Sequence, residues 1–156
     1  MNWIQGKTVY REYISGKLHE ETQVEEFSVS LTASSVYELQ DAGHLDFGGS
    51  EFQLGDRTEI EPVKRNEDDD YGWWDLSGGS WILELNENVT YSEEFTGVLQ
   101  PHDHLTWNGA THPTLWLTSD DSDARLLLPL QVPSSGLKIK ENARVTSLKV
   151  SRRNEQ

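Results

Sequence analysis

Runs of β-forming residues recur at roughly ten-residue spacing along this chain, and that rhythm leaves few folds open. Phe27-Ser28-Val29-Ser30-Leu31 alternates apolar and polar residues. Trp81 to Leu85 is the clearest strand, Val89 to Val98 continues in β-formers, and Leu115-Trp116-Leu117 is a short strand. Leu126 to Val132 is apolar except for Gln131, which predicts a strand buried on both faces. Leu137, Ile139, Val145, Leu148 and Val150 alternate about a turn at Glu141-Asn142. Many short strands with little helix between them predict a mainly β, antiparallel architecture: a distorted jelly roll, sandwich or barrel.

Helix is expected near the N-terminus. Val9, Tyr10, Tyr13 and Ile14 fall at helical spacing, and Gly16 is a natural stop. Residues 19–26 read as a polar connection. Thr32 can cap a short helical turn through Val36 and Leu39 that ends near Gly43. Leu45, Phe47, Phe52 and Leu54 alternate around Gly48-Gly49 and suggest a bent strand pair. At 156 residues the chain suits one domain, with a helix and connection over 1–26, a β core over 27–150 and a short tail over 151–156. Six Trp, five Tyr and four Phe supply bulk for its core.

Charge narrows the partners. The 27 acidic side chains against 13 basic ones give a net charge of −14, which repels nucleic-acid backbones and anionic membranes. Such a surface suits work at high salt, where screening removes self-repulsion; an ordinary acidic protein is the alternative. No cysteine is present, so disulfides, thiolate metal sites and Cys nucleophiles are excluded. No apolar run approaches the ~20 residues of a spanning helix, and the first residues lack a signal-peptide centre, so the expectation is a soluble cytoplasmic protein. Residues 136–156 hold six of the basic side chains (Lys138, Lys140, Arg144, Lys149, Arg152, Arg153) beside only Glu141 and Glu155. These fit the solvated tips of an edge strand, or a docking face for the acidic surface of a neighbouring subunit.

Three clusters carry possible chemistry. In Pro101-His102-Asp103-His104-Leu105, alternate strand residues share a face, so His102 and His104 can meet one metal with His112 as a third ligand; a polar turn is the plainer reading. Asp120, Asp121 and Asp123 can hold Mg²⁺ near a phosphate or simply form a turn. Glu67 to Asp70 can bind a hard cation, but the run fits a solvated loop better. No phosphate-cradling loop or nucleophile elbow occurs: Gly48-Gly49 and Gly78-Gly79 lack the Lys-Ser or Lys-Thr that would follow.

Taken in order, several segments resemble the trimeric dUTPase and dCTP deaminase superfamily, most closely its short archaeal dUTPase-like branch. They are Phe27 to Leu39 with Ala42 to Phe47; Trp81 to Val89 with its Asn86-Glu87 pair; Leu99 to Thr111, which ends in Gly109-Ala110-Thr111; and Gly136 to Leu148, which contains Ala143-Arg144-Val145. The resemblance implies a homotrimer of distorted jelly rolls that binds dUTP or dCTP between subunits. It also implies Mg²⁺-dependent hydrolysis of the α–β phosphate bond by an Asp-activated water in active dUTPases. Its ligand-binding positions fall here on His102, Asp103, His104, Asn108, Gly109, Ala110 and Trp116, and its catalytic Asp near Asp120 or Asp121.

The chain departs from the pattern where the phosphates are handled. The P-R-S-S-L segment reads Pro101-His102-Asp103-His104-Leu105, so the Arg is a histidine and one serine is an acid. Two like charges ~4 Å apart oppose one another by about 4 kcal/mol at an effective dielectric of 20, so Asp103 works against a triphosphate. The Asp of G-V-D-L-T is Ser30. Without a gap the catalytic position falls on Thr118, and a shift of two or three residues brings Asp120 or Asp121 to it. The expectation is a dUTPase-like protein of deoxynucleotide metabolism with degenerate motifs, binding a nucleotide or catalytically inactive. An active, Mg²⁺-dependent dUTP diphosphatase and a trimeric interaction protein without a nucleotide are the alternatives.

Overall fold

A computed structural model describes residues 2–90, 92–117 and 126–153. In chain order these form β1 (Asn2–Trp3), α1 (Gly6–Tyr13), β2 (Ile14–Ser15), α2 (Glu20–Gln23), β3 (Val29–Leu39), β4 (Arg57–Glu59), β5 (Trp73–Leu76) and β6 (Gly79–Leu85). Then follow β7 (Asn88–Val89), β8 (Phe95–Pro101), α3 (Asp103–Trp107), β9 (Leu115–Leu117), β10 (Leu127–Val132), β11 (Leu137–Lys140) and β12 (Arg144–Arg152).

An antiparallel sheet in the order β10-β6-β3-β12-β8-β9 forms the body, with β1 added to β12 and β4 added to β3. It is a curled jelly-roll half-barrel of the kind the strand rhythm implies. Two small ladders, β11 with β5 and β2 with β7, complete it. Val29, Leu31, Val36, Leu83, Leu99, Leu128, Leu130 and Leu148 are fully buried where the central strands meet. Each such side chain contributes about 1.5–3 kcal/mol of hydrophobic stabilisation. Val9 and Tyr10 of α1 join this core. The helix can lie so close because Gly6 has no side chain: a Cβ there would collide with the carbonyl oxygens of Glu25 and Ser28.

Several expectations are corrected. Residues 32–39 continue β3 instead of forming a helical turn, because Thr32 gives its N–H and hydroxyl to the buried carboxylate of Glu87. Ile14 leaves the helix for β2, and the polar connection contains α2, whose Gln23 Oε1 accepts the N–H groups of Leu18 and His19. Residues 127–132 bury one face only: Leu128, Leu130 and Val132 point inward while Leu127 is exposed. β10 lies at the sheet edge, where Pro129 is tolerated. The turn at Glu141-Asn142 is present, with Asn142 at φ 68°, yet it joins two different ladders, since β11 pairs β5 and β12 pairs β3 and β8. β12 is therefore a central strand, and its basic residues are not the tips of an edge.

Candidate functional site

A cavity of about 460 Å³ opens where α3, β11 and the start of β12 face α2. That size accommodates a small-molecule ligand. Its apolar wall includes Leu18, Trp73, Leu105, Leu137, Ile139 and Val145, and its polar wall carries His19, His104, Asn108, Lys138, Lys140 and Arg144. Among the described residues no Asp or Glu lines it. The acids close by are turned to other partners. Glu141 Oε2 accepts the Gly72 N–H at 2.6 Å, and Glu20 pairs with Arg11.

Beneath this cavity lies a polar knot. Glu87 is fully buried and accepts from Gln23 Nε2 at 3.0 Å, from the Thr32 N–H at 2.9 Å and from the Thr32 hydroxyl. Burial pushes its carboxyl above the usual carboxylate range, and the Thr32 and Gln23 donors restrain that rise. Asn86 Nδ2 donates to Thr32 Oγ1 and to Asn142 Oδ1, both at 2.9 Å. The pair Asn86-Glu87 thus fastens the β11–β12 turn and α2 to β3, which sets the cavity walls.

The segment Pro101 to Leu105 is not a strand. It leaves β8 at Pro101 and turns into α3, with His102 at the cap position. His102 is buried, and its Nδ1 accepts the His104 N–H at 3.0 Å. Burial first, then the neighbouring His104 and Arg144, lower its pKa, so at neutral pH the ring carries no charge. The rings of His102 and His104 meet edge to face at 4.7 Å. The expected alternation of the two rings on one strand face fails because the segment is helical. His112 points elsewhere: Nε2 meets the Thr146 hydroxyl at 2.9 Å and Nδ1 the Pro113 carbonyl at 2.8 Å. Among the described residues no group of three or more His, Asp or Glu side chains is placed to hold a metal.

Of the residues singled out from the sequence, His104 and Asn108 line the cavity. Asn108 ends α3, its Nδ2 donating to the His104 carbonyl at 2.8 Å. Gly109 takes φ 78°, a conformation suited to glycine, and lets the Ala110 N–H return to Leu105. Ala110 is buried, Asp103 is exposed in the first turn of α3, and Trp116 is exposed on β9 beside Val98. Asp103, Gly109, Ala110 and Trp116 do not line the cavity. Asp120, Asp121 and Thr118 lie outside the described residues. Sequence reasoning noticed Lys138, Lys140 and Arg144 as a basic stretch but not as a cavity wall. The Leu-Lys-Ile-Lys alternation held that signal, and only the β11–β5 pairing shows what it faces.

No family model matches the chain. A protein of Methanosarcina mazei named "Probable deoxyuridine 5'-triphosphate nucleotidohydrolase" is 29% identical over 129 residues, covering 82% of this chain and 71% of the relative. A protein of the same name from Halobacterium salinarum is 28% identical over 95 residues, 60% of this chain and 56% of the relative. Among solved structures, the 2'-deoxycytidine 5'-triphosphate deaminase of Agrobacterium tumefaciens superposes with a TM-score of 0.69 at 10% identity. That superposition takes in 96% of this chain, which spans 48% of the deaminase's length. The curled sheet shared with the deaminase and the sequence shared with the archaeal proteins agree with the residue patterns above, and together they support a likeness of this chain to the dUTPase/dCTP deaminase superfamily.

Proposed function

We propose that this protein binds a deoxynucleoside triphosphate, dUTP or dCTP, on a dUTPase-like scaffold whose α3 segment no longer supplies the phosphate grip of an active hydrolase. The state of His102 carries this reading. It stands where the resemblance implies a permanently charged Arg, yet it is a buried, neutral ring with Nδ1 already committed to the His104 amide. Asp103 adds negative charge to the same turn. Triphosphate held without turnover suits a nucleotide-sensing or regulatory role in deoxynucleotide metabolism, in the cytoplasm where such nucleotides are used.

Mg²⁺ on this reading arrives with the triphosphate. The described residues offer no cluster of carboxylates or imidazoles to hold the ion themselves. When bound, Mg²⁺ offsets charge on the phosphate oxygens. The active alternative needs Asp120 or Asp121 as base. Thermal stabilisation by dUTP or dCTP without release of diphosphate supports the binding reading. Steady release of diphosphate from dUTP with Mg²⁺ supports the diphosphatase, and no shift with any nucleotide supports an interaction protein.

The same proposal includes a homotrimer. Leu45, Phe47, Phe52 and Leu54 are all more than half exposed on one loop between β3 and β4. The loop is internally braced: His44 and Gln53 exchange two backbone hydrogen bonds, and Asp46 accepts the N–H groups of Gly49 and Glu51. A braced loop with an apolar tip and the acids Asp41, Asp46, Glu51 and Asp56 suits a basic, partly apolar surface on a second copy.

A further inference from the structure

Resting on the nucleotide reading above, we infer that the polyphosphate is gripped by Lys138, Lys140 and Arg144, from β11 and the start of β12, and not by the α3 turn. Three observations converge. First, these cations line the same cavity as His19 and His104. Second, in a chain with twice as many acids as bases, no described carboxylate lines that cavity. Third, the three cations have no carboxylate partner among the described residues, where the ion pair found is Arg11–Glu20. The contacts they do make are weak: Lys140 Nζ lies 5.8 Å from the Trp73 ring centroid, and an Arg144 terminal nitrogen lies 3.5 Å from the Thr22 carbonyl.

An acidic protein that gathers at a cavity cations with no carboxylate partner among the described residues invites a counter-charge from outside. Lys and Arg side chains recognise phosphoryl oxygens through charge-assisted hydrogen bonds. The adjoining wall of Leu18, Trp73, Leu105 and Leu137 takes the less polar part of the same ligand. The fitting ligand class is thus an organic polyphosphate, its anionic end toward β11. Glu141, the acid nearest in sequence, is kept away from the cations by its bond to the Gly72 N–H.

The test compares the wild type with K138Q/K140Q and with a charge-matched control, K7Q/K64Q. Calorimetric titration and melting shifts are recorded for dUTP, dCTP, deoxyuridine and inorganic triphosphate. Lys138 and Lys140 are exposed, so K138Q/K140Q keeps the wild-type melting temperature without ligand. The inference expects nucleotide affinity to fall about tenfold or more in K138Q/K140Q and to stay within about twofold in the control. Equal nucleotide binding by wild type and K138Q/K140Q overturns the inference while the nucleotide reading stands. Binding of inorganic triphosphate alone, lost in K138Q/K140Q, upholds the grip and overturns the nucleotide reading. No binding of any of these compounds overturns both.

Discussion

Nδ1 of His102 accepts the backbone N–H of His104 at 3.0 Å, and this one bond decides what the segment after β8 can do. It closes the N-terminus of α3 with a side chain that, once so used and buried, offers a passing anion no positive charge. Removing it in His102→Ala should destabilise the protein by about 1 kcal/mol, the usual worth of a helix cap, with an added cost from the vacated space. Chemical denaturation measures this. A variant as stable as the wild type would show that the cap does not hold α3.

Glu87 is the hub beneath the cavity, and all three groups it meets are donors. In Glu87→Gln one oxygen becomes an NH₂ that faces donors, so a loss of about 1–3 kcal/mol is expected. The pH dependence has a definite sign. Because the folded carboxyl is raised, its contribution to stability is full below the ordinary carboxylate pKa and is lost as pH rises through the folded value. Glu87→Gln should lack that alkaline-side loss. Denaturation curves of both proteins across mildly acidic pH decide it, and parallel curves would refute the assignment.

The two buried histidines should titrate low. Burial depresses both His102 and His112, and for His112 the bond to the Pro113 carbonyl opposes only part of that effect. A histidine held neutral stabilises the fold above the ordinary value of about 6.5, and this is lost as pH falls toward the folded pKa. Imidazole resonances followed by NMR should give midpoints below about 6.5 for both. Midpoints at or above that value would mean the rings are solvated.

Phe47→Asp paired with Leu54→Asp should leave the fold intact and lower the molecular mass measured by light scattering from that of a trimer toward that of a monomer. Both side chains are exposed in the single chain, so no core packing is lost. An unchanged mass would remove the braced loop from the interface.

Salt should stabilise this protein. A net charge of −14 with one ion pair between described residues leaves much repulsion to screen. Raising salt from ~0.1 M to ~1 M shortens the screening length from about 10 Å to about 3 Å. The melting temperature should climb over that range, and a falling one would contradict the high-salt reading.

The strands over Trp81 to Leu85, Leu115 to Leu117 and Gly136 to Val150 were legible because alternation and turn residues are local signals. What failed was decided by partners distant in sequence. Thr32 looks like a helix cap until Glu87 claims its donors. Leu126 to Val132 looks doubly buried until β10 proves to be an edge. His102 and His104 look like strand neighbours because nothing local shows that a histidine ring will cap the next turn. Of the residues to which the resemblance drew attention, His104 and Asn108 line the cavity. The cations that line it with them were visible only as a charge excess, since no periodicity records which ladder β11 joins.

The most direct test of the central claim is a titration of the full chain with dUTP and Mg²⁺ in which bound nucleotide and free diphosphate are measured in the same sample. Saturable binding with dUTP recovered intact is the expected result. Repeated turnover of dUTP to dUMP and diphosphate would contradict it and return the catalytic role to the acidic segment after β9.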